Sequence, residues 1–249
     1  MSIAVIGGTG MNQWPGLDVQ QHRVIETPYG APSAPLLIGK VYGVQAVFLA
    51  RHGEGHSLPP HAINYRANLW ALRKAGVKSV VAIAAVGGIA PWFPPAAVAA
   101  PVDLIDYTWG RAHSYSDGSS AQLQHVEFGE PYSSRVRREL VHAALAARID
   151  IVDGGVLGVT QGPRLESPAE IKRMKRDGCD MVGMTGMPEA GLARELALDY
   201  ACLALSVNWA AGIGAGDIHA EIAQSIEQGM AKIRSILERA LPVLDALDQ

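Results

Sequence analysis

Val80-Val81-Ala82-Ile83-Ala84-Ala85-Val86 is apolar at every position and ends in Gly87-Gly88. A strand with one wet face alternates apolar and polar residues, so an unbroken run of this length reads as a central strand covered on both faces. Two runs on its N-terminal side read the same way. Ser2 to Ile6 leads into Gly7-Gly8-Thr9-Gly10, and Val44 to Leu49, interrupted only by Gln45, leads into Ala50-Arg51-His52-Gly53. Glycine turns and polar residues directly after strands mark the end of a parallel sheet where ligands bind.

Helices fall between and beyond these strands. Ile63, Ala67, Trp70 and Lys74 keep helical spacing between Ala62 and Lys74, Leu69 and Leu72 widen the apolar face, and Gly76 is placed as a stop. Val136, Leu140, Val141, Ala144 and Leu145 form a second stripe, capped by Ser133 or Ser134. Ser167-Pro168-Ala169-Glu170 is a capping box with proline in the first helical position, and Gly178 closes that helix. A helix from about Pro188 to Leu198 follows, then a long amphipathic one from Asp217 to about Leu247 that repeats Ile218, Ile222, Ile226, Met230, Ile233 and Leu237. Val102 to Tyr107, Ile149 to Thr160, Asp180 to Met184 and Tyr200 to Ser206 read as strands. Pro91 to Pro101, with four prolines, and the polar stretch Arg111 to Gln124 read as loops, the second a candidate lid. Such alternation predicts one α/β domain over residues 1–249, a three-layer sandwich around a central mixed, mainly parallel β-sheet.

Composition narrows the function. The 249 residues carry 21 basic and 24 acidic side chains, a formal charge of −3, which argues against a basic field for nucleic acid and leaves room only for a small basic pocket. Cys179 and Cys202 are far apart and lack ligand-spaced partners, which excludes a disulfide framework and a structural zinc site. The chain opens without a basic, then apolar leader and has no stretch apolar enough to span a bilayer, so a cytoplasmic protein with no membrane partner is expected.

Residues that carry chemistry gather after the strands. Gly7-Gly8-Thr9-Gly10 lets backbone amides approach an anion, with the Thr9 hydroxyl as a further donor, or is simply a tight turn. It is not a dinucleotide fingerprint, because Trp14-Pro15 breaks the helix that should follow, and it lacks the lysine of a P-loop. A dinucleotide-dependent oxidoreductase fails on that ground. Arg51 offers a planar donor fork suited to phosphate and His52 a second donor; the alternative is a surface ion pair beside a satisfied histidine. His56 and His61 stand nearby without the partners of a metal site. Gly162-Pro163-Arg164-Leu165-Glu166 and Met184-Thr185 are loop positions over the sheet, with core packing open for Met184 and a helix cap for Thr185. Asn208 ends a strand with an amide that accepts and donates in one plane, or makes a turn.

Taken in order, these segments resemble the purine nucleoside phosphorylase family, in particular its methylthioadenosine phosphorylase branch. The matching stretches are Gly7-Gly8-Thr9-Gly10, Ala50-Arg51-His52-Gly53 with His56 and Asn64-Tyr65-Arg66-Ala67-Asn68, Gly162-Pro163-Arg164, and Met184-Thr185 through Pro188-Glu189-Ala190. The resemblance implies phosphorolysis: inorganic phosphate attacks C1′ of a purine ribonucleoside, without metal or organic cofactor. It implies that Thr9, Arg51, His52 and Thr185 contact phosphate and that Met184 lies against the ribose. Where the branch usually has Thr-Ala, this chain has Ala84-Ala85, so one hydroxyl is lost and the Ala85 amide is left to serve. Asn208, Arg51 and His52 are the groups expected to carry the reaction. The resemblance also implies a homotrimer with sites near subunit contacts.

Base and sugar readings come from the departures. The branch usually has Asp at 208 and again at 210, suited to the donors of adenine; Asn208 and Ala210 stand there instead. One asparagine amide satisfies both O6 and N7–H of a 6-oxopurine, so hypoxanthine is favoured over adenine. Leu165, beside Glu166 among the expected substrate contacts, replaces a phenylalanine common in the branch. His125, in His125-Val126-Glu127-Phe128-Gly129-Glu130-Pro131-Tyr132, aligns with a histidine near the 5′ substituent, and Ile218 and Ile222 give the aliphatic wall that the branch uses there. An apolar wall favours a thiomethyl group over a hydroxyl, so the expected substrate is 5′-methylthioinosine. Methylthioadenosine and inosine or guanosine are the competing substrates. A nucleoside-binding module without turnover is the competitor of a different class.

Overall fold

The computed structural model describes residues 2–11, 13–118, 123, 125–214 and 218–249, the side chains of 218–221 excepted. In chain order its elements are β1 (Ile3–Gly7), β2 (Asp18–Arg23), β3 (Leu36–Val41), β4 (Val44–Ala50), α1 (Tyr65–Lys74), β5 (Ser79–Gly88), β6 (Val98–Ala100), β7 (Asp103–Asp106), α2 (Ser134–Ala146), β8 (Ile151–Asp153), β9 (Val156–Val159), α3 (Pro168–Asp177), β10 (Met181–Gly183), α4 (Gly186–Glu195), β11 (Asp199–Trp209) and α5 (Ile218–Asp248). The strands form one eleven-stranded sheet. Its centre is the unbroken apolar run: β5 pairs parallel with β1 on one side and, along its whole length, with β11. β4 extends the parallel part beyond β1.

Beyond β5 the strand direction reverses. β10 pairs antiparallel with Gly87 and Gly88, then β9 and β7 follow parallel to it. Pairing with β1 stops at Ala82 and pairing with β10 starts at Gly87, so one edge of β5 opens between them. A reversal of this kind is where an α/β sheet holds its ligand.

Helices cover both faces because each buries an apolar stripe. α2 and α5 share one core with Val81 and Leu203 through Leu140, Ile233 and Leu237. α1 and α4 share the other with Val80 and Ala82 through Leu69, Leu72 and Leu192. The caps are local chemistry. Ser133 caps α2, Ser167 and Glu170 complete a reciprocal capping box on α3, and Gly178 closes α3 at φ 98°. No described helix is long and apolar enough to cross a membrane.

Several boundaries differ from the sequence reading. Gly87-Gly88 lies inside β5 rather than after it, and a Cβ on Gly88 would stand 2.2 Å from the Phe93 carbonyl oxygen. The run Ile149 to Thr160 is two strands, split where Gly154 and Gly155 take positive φ, and β8 pairs with β6 while β9 pairs with β10 and β7. β2, β3 and β6 have no counterpart in the sequence reading. β2 reads DVQQHR and exposes nearly every side chain, so it offers no apolar signal. The expected start of the last helix at Asp217 lies outside the described residues.

Candidate active site

A cavity of about 440 Å³ opens at the carboxyl ends of β1, β4, β5 and β11, beside the open edge of β5. Thr9, Arg51, His52, Ala84, Ala85, Leu165, Glu166, Met184, Thr185, Asn208, Ala210 and Ile222 all line it. Residues as far apart in the chain as Thr9 and Ile222 thus meet at one place. His125 does not: it is exposed and lines no part of its own chain's cavity. The Ile218 side chain lies outside the described residues, as do residues 119–122 and 124 of the candidate lid. The part from Arg111 to Gly118 is docked, with the Tyr115 hydroxyl donating to the Arg66 carbonyl oxygen and Arg66 paired with Asp117.

Arg51 forms the floor at one end. Its Nε donates to Glu189 Oε2 and its Nη2 to Glu189 Oε1, both at 2.8 Å, with side-chain exposures of 1% and 0%. Nη1 donates at 2.9 Å to the Ile83 carbonyl oxygen on the open edge of β5. These bonds leave two of the five guanidinium N–H groups for a ligand. Burial disfavours the cation, but the charge and hydrogen bonds of Glu189 outweigh it and hold Arg51 above its ordinary pKa. Gly8 explains part of the glycine turn: a Cβ there would lie 2.7 Å from Arg51 Nη1 and 2.6 Å from the Ile83 oxygen. The turn makes room for the guanidinium.

His52 is held differently from the sequence expectation of a second donor. Its Nδ1 lies 2.9 Å from the Leu58 carbonyl oxygen, which only accepts, so Nδ1 carries the proton. Burial, then the neighbouring Arg51 cation, pushes its pKa down to about 4. The ring is therefore neutral at pH 7, and Nε2 is an acceptor. His56 stacks on it with ring centroids 4.2 Å apart and also lines the cavity.

At the other end, register explains the placement. β11 steps by two residues from Ser206 to Asn208 while β5 advances from Val86 to Gly87, a bulge that lets the consecutive residues Val207 and Asn208 both line the cavity. The Asn208 Nδ2 donates to the Trp209 carbonyl oxygen at 2.6 Å, which fixes which way the amide faces. Glu166 also lines the cavity, and the Thr160 hydroxyl donates to its Oε1 at 2.6 Å. Leu165 is 48% exposed at the rim.

Sequence reading gives no role to Glu189, Thr160, His56 or Val207. Pro188-Glu189 is visible as a motif, but nothing in a spacing of 138 residues joins it to Arg51. Among the described residues no group of three or more His, Cys, Asp or Glu is placed to hold a metal ion.

Comparison with known proteins agrees with the fold. A family model described as the phosphorylase superfamily matches residues 2–242. A protein of Xanthomonas campestris pv. campestris named probable S-methyl-5′-thioinosine phosphorylase is 55% identical over 214 residues, 86% of each chain. One of the same name from Pseudomonas syringae pv. tomato is 52% identical over 239 residues, 96% of this chain and 97% of its own. Among solved structures, methylthioadenosine phosphorylase from Schistosoma mansoni in complex with adenine matches with a TM-score of 0.91 at 30% identity, covering 98% of this chain and 92% of that one.

Proposed function

The chain belongs to the phosphorylase superfamily, and from that premise we propose that it cleaves S-methyl-5′-thioinosine with inorganic phosphate to hypoxanthine and 5-methylthioribose 1-phosphate. The observation that carries the reading is the pairing of a fixed Asn208 amide with the Glu166 carboxylate in one cavity. With one N–H engaged by Trp209, Asn208 keeps one donor for O6 and its oxygen for N7–H. Glu166 offers an acceptor to N1–H. Adenine presents a lone pair at N1 and donors at N6, so the same groups face it with mismatched polarity, and buried mismatches discriminate strongly.

Phosphate belongs at the opposite end. Arg51, Thr9 and Thr185 are donors to its oxygens, and neutral His52 accepts from the P–OH of the monoprotonated dianion. As the glycosidic bond stretches, the ribose gains positive charge and the purine negative charge. A dianion below C1′ and hydrogen bonds to the base both favour that state over the ground state. Holding the two substrates in line supplies on the order of 7 to 11 kcal/mol. Phosphate is the second substrate, and the mechanism calls for no cofactor. The Ile222 wall suits a thiomethyl group. By resemblance the assembly is a homotrimer, and His125, exposed and away from its own cavity, would then act at a neighbouring copy's sugar site.

Phosphate-dependent release of free base from methylthioinosine, methylthioadenosine and inosine, measured in parallel, tests the reading. Methylthioinosine should lead, with kcat/KM for methylthioadenosine lower by about 100-fold or more, and Asn208→Asp should narrow that gap by losing hypoxanthine release. Equal or better use of methylthioadenosine would overturn the base assignment. Saturable binding with no base released would make the chain a binding module.

A further inference from the structure

Arg111 does not line the cavity, yet its guanidinium bonds to both of the chain stretches, from Thr160 to Glu166 and from Val182 to Met187, that form one side of it. Nη1 donates to the carbonyl oxygens of Met184 at 2.9 Å and Met187 at 2.5 Å. Nη2 donates to those of Gln161 at 2.8 Å and Thr160 at 3.2 Å, and Nε to Gln161 Oε1 at 3.2 Å. The group lies 5.5 Å from the centre of the Tyr65 ring, whose hydroxyl donates to the carbonyl oxygen of Pro60 on the cavity wall. Among the described residues it forms no direct ion pair; carbonyl dipoles, the Tyr65 ring and hydroxyl, and the more distant Asp106 charge hold a half-buried cation.

Each carbonyl sits next to a group with a task in the cavity. Thr160 orients Glu166, Met184 precedes Thr185, and Met187 lies two residues before Glu189, the partner of Arg51. The ends of β9 and β10 and the first turn of α4 thus share one anchor. Only a planar fork spans them, since an ammonium has three donors radiating from one atom.

We propose that Arg111 is a positioning residue that fixes the base-reading loop relative to the sugar and phosphate loops, making residues 111–118 a brace rather than part of a lid. The inference rests on the proposed assignment of Glu166 and Thr185 to opposite substrates. Loss of a local contact would disturb one substrate; loss of a shared anchor disturbs both.

The test compares wild type, Arg111→Met and Arg111→Lys in steady-state phosphorolysis, varying nucleoside and phosphate separately, with melting temperatures alongside. For Arg111→Met, kcat/KM should fall about 100-fold, with KM raised for both substrates, and Arg111→Lys should recover part of the loss. Unchanged constants, a rise confined to one KM, or a loss that follows only the unfolded fraction would each overturn the inference. If Arg111→Met does not fold, Arg111→Lys decides: wild-type constants in it overturn the brace, and a joint rise supports it. Wild-type failure on methylthioinosine would refute the substrate reading separately, and the comparison then runs on the purine nucleoside that the wild type does cleave.

Discussion

At one end of the cavity Arg51 is 1% exposed and doubly bonded to a carboxylate that is 0% exposed; at the other Leu165 is 48% exposed and Glu166 is held by a single hydroxyl. The first end belongs to the core. Its donor fork is fixed by Glu189, by the Ile83 carbonyl and by the space that Gly8 leaves, so geometry there is tied to the stability of the whole chain. The second end is divided: the bulge residues Val207 and Asn208 are buried, whereas Leu165 on the loop before α3 faces solvent. A fixed phosphate grip beside a base site with one solvent-facing wall is an arrangement in which that wall changes with little effect on the core.

Removing Glu189 gives the largest expected effect on this contrast. In Glu189→Gln one amide N–H points at the guanidinium, so Arg51 loses a bond and its neutralising charge together. Breaking a buried pair costs about 3–5 kcal/mol, and a displaced donor lowers turnover about 100-fold or more. Urea unfolding should show the first, and kcat/KM for phosphate the second. A variant with full stability, or one that binds and uses phosphate normally, would break the idea that the two are coupled at this end.

Glu166→Gln probes the other end and should separate those quantities. Gln keeps an oxygen for N1–H but loses the charge, and a hydrogen bond to a charged group contributes about 1.5–3 kcal/mol. kcat/KM for the 6-oxopurine nucleoside should therefore fall about 10- to 100-fold, while the melting temperature stays close to wild type. Destabilisation on the scale of Glu189→Gln would erase the distinction between the ends.

The same contrast governs what can be read from sequence. Strands that are apolar but for Gln45 and Ser79, β1, β4 and β5, and helices with capping chemistry, α2 and α3, are legible because their signals are local. β2 is not, since an exposed edge strand carries no apolar pattern. In the site, residues directly after strands are visible as motifs. The Arg51 to Glu189 pair, the Thr160 to Glu166 bond and the bulge at Val207 come from register and from contacts between distant segments, which spacing along the chain does not encode.

The remaining effect, graded rather than all-or-none, sharpens the comparison through pH. His52 takes a proton near 6.5 in the unfolded chain but only at about 4 when folded, because burial and the Arg51 cation oppose its charge. Between those values the unfolded chain binds more protons, so this contribution to stability is complete above pH 6.5 and is lost as pH falls through about 4. His52→Gln removes the titration. Urea unfolding in phosphate-free buffer from about pH 7.5 to about 4.5 should show wild type losing stability faster than the variant, with the slopes differing by up to about one proton. Phosphate must be absent, because a ligand that binds only the folded chain would add its own pH dependence. Parallel curves for the two proteins would place the acid sensitivity outside the phosphate end.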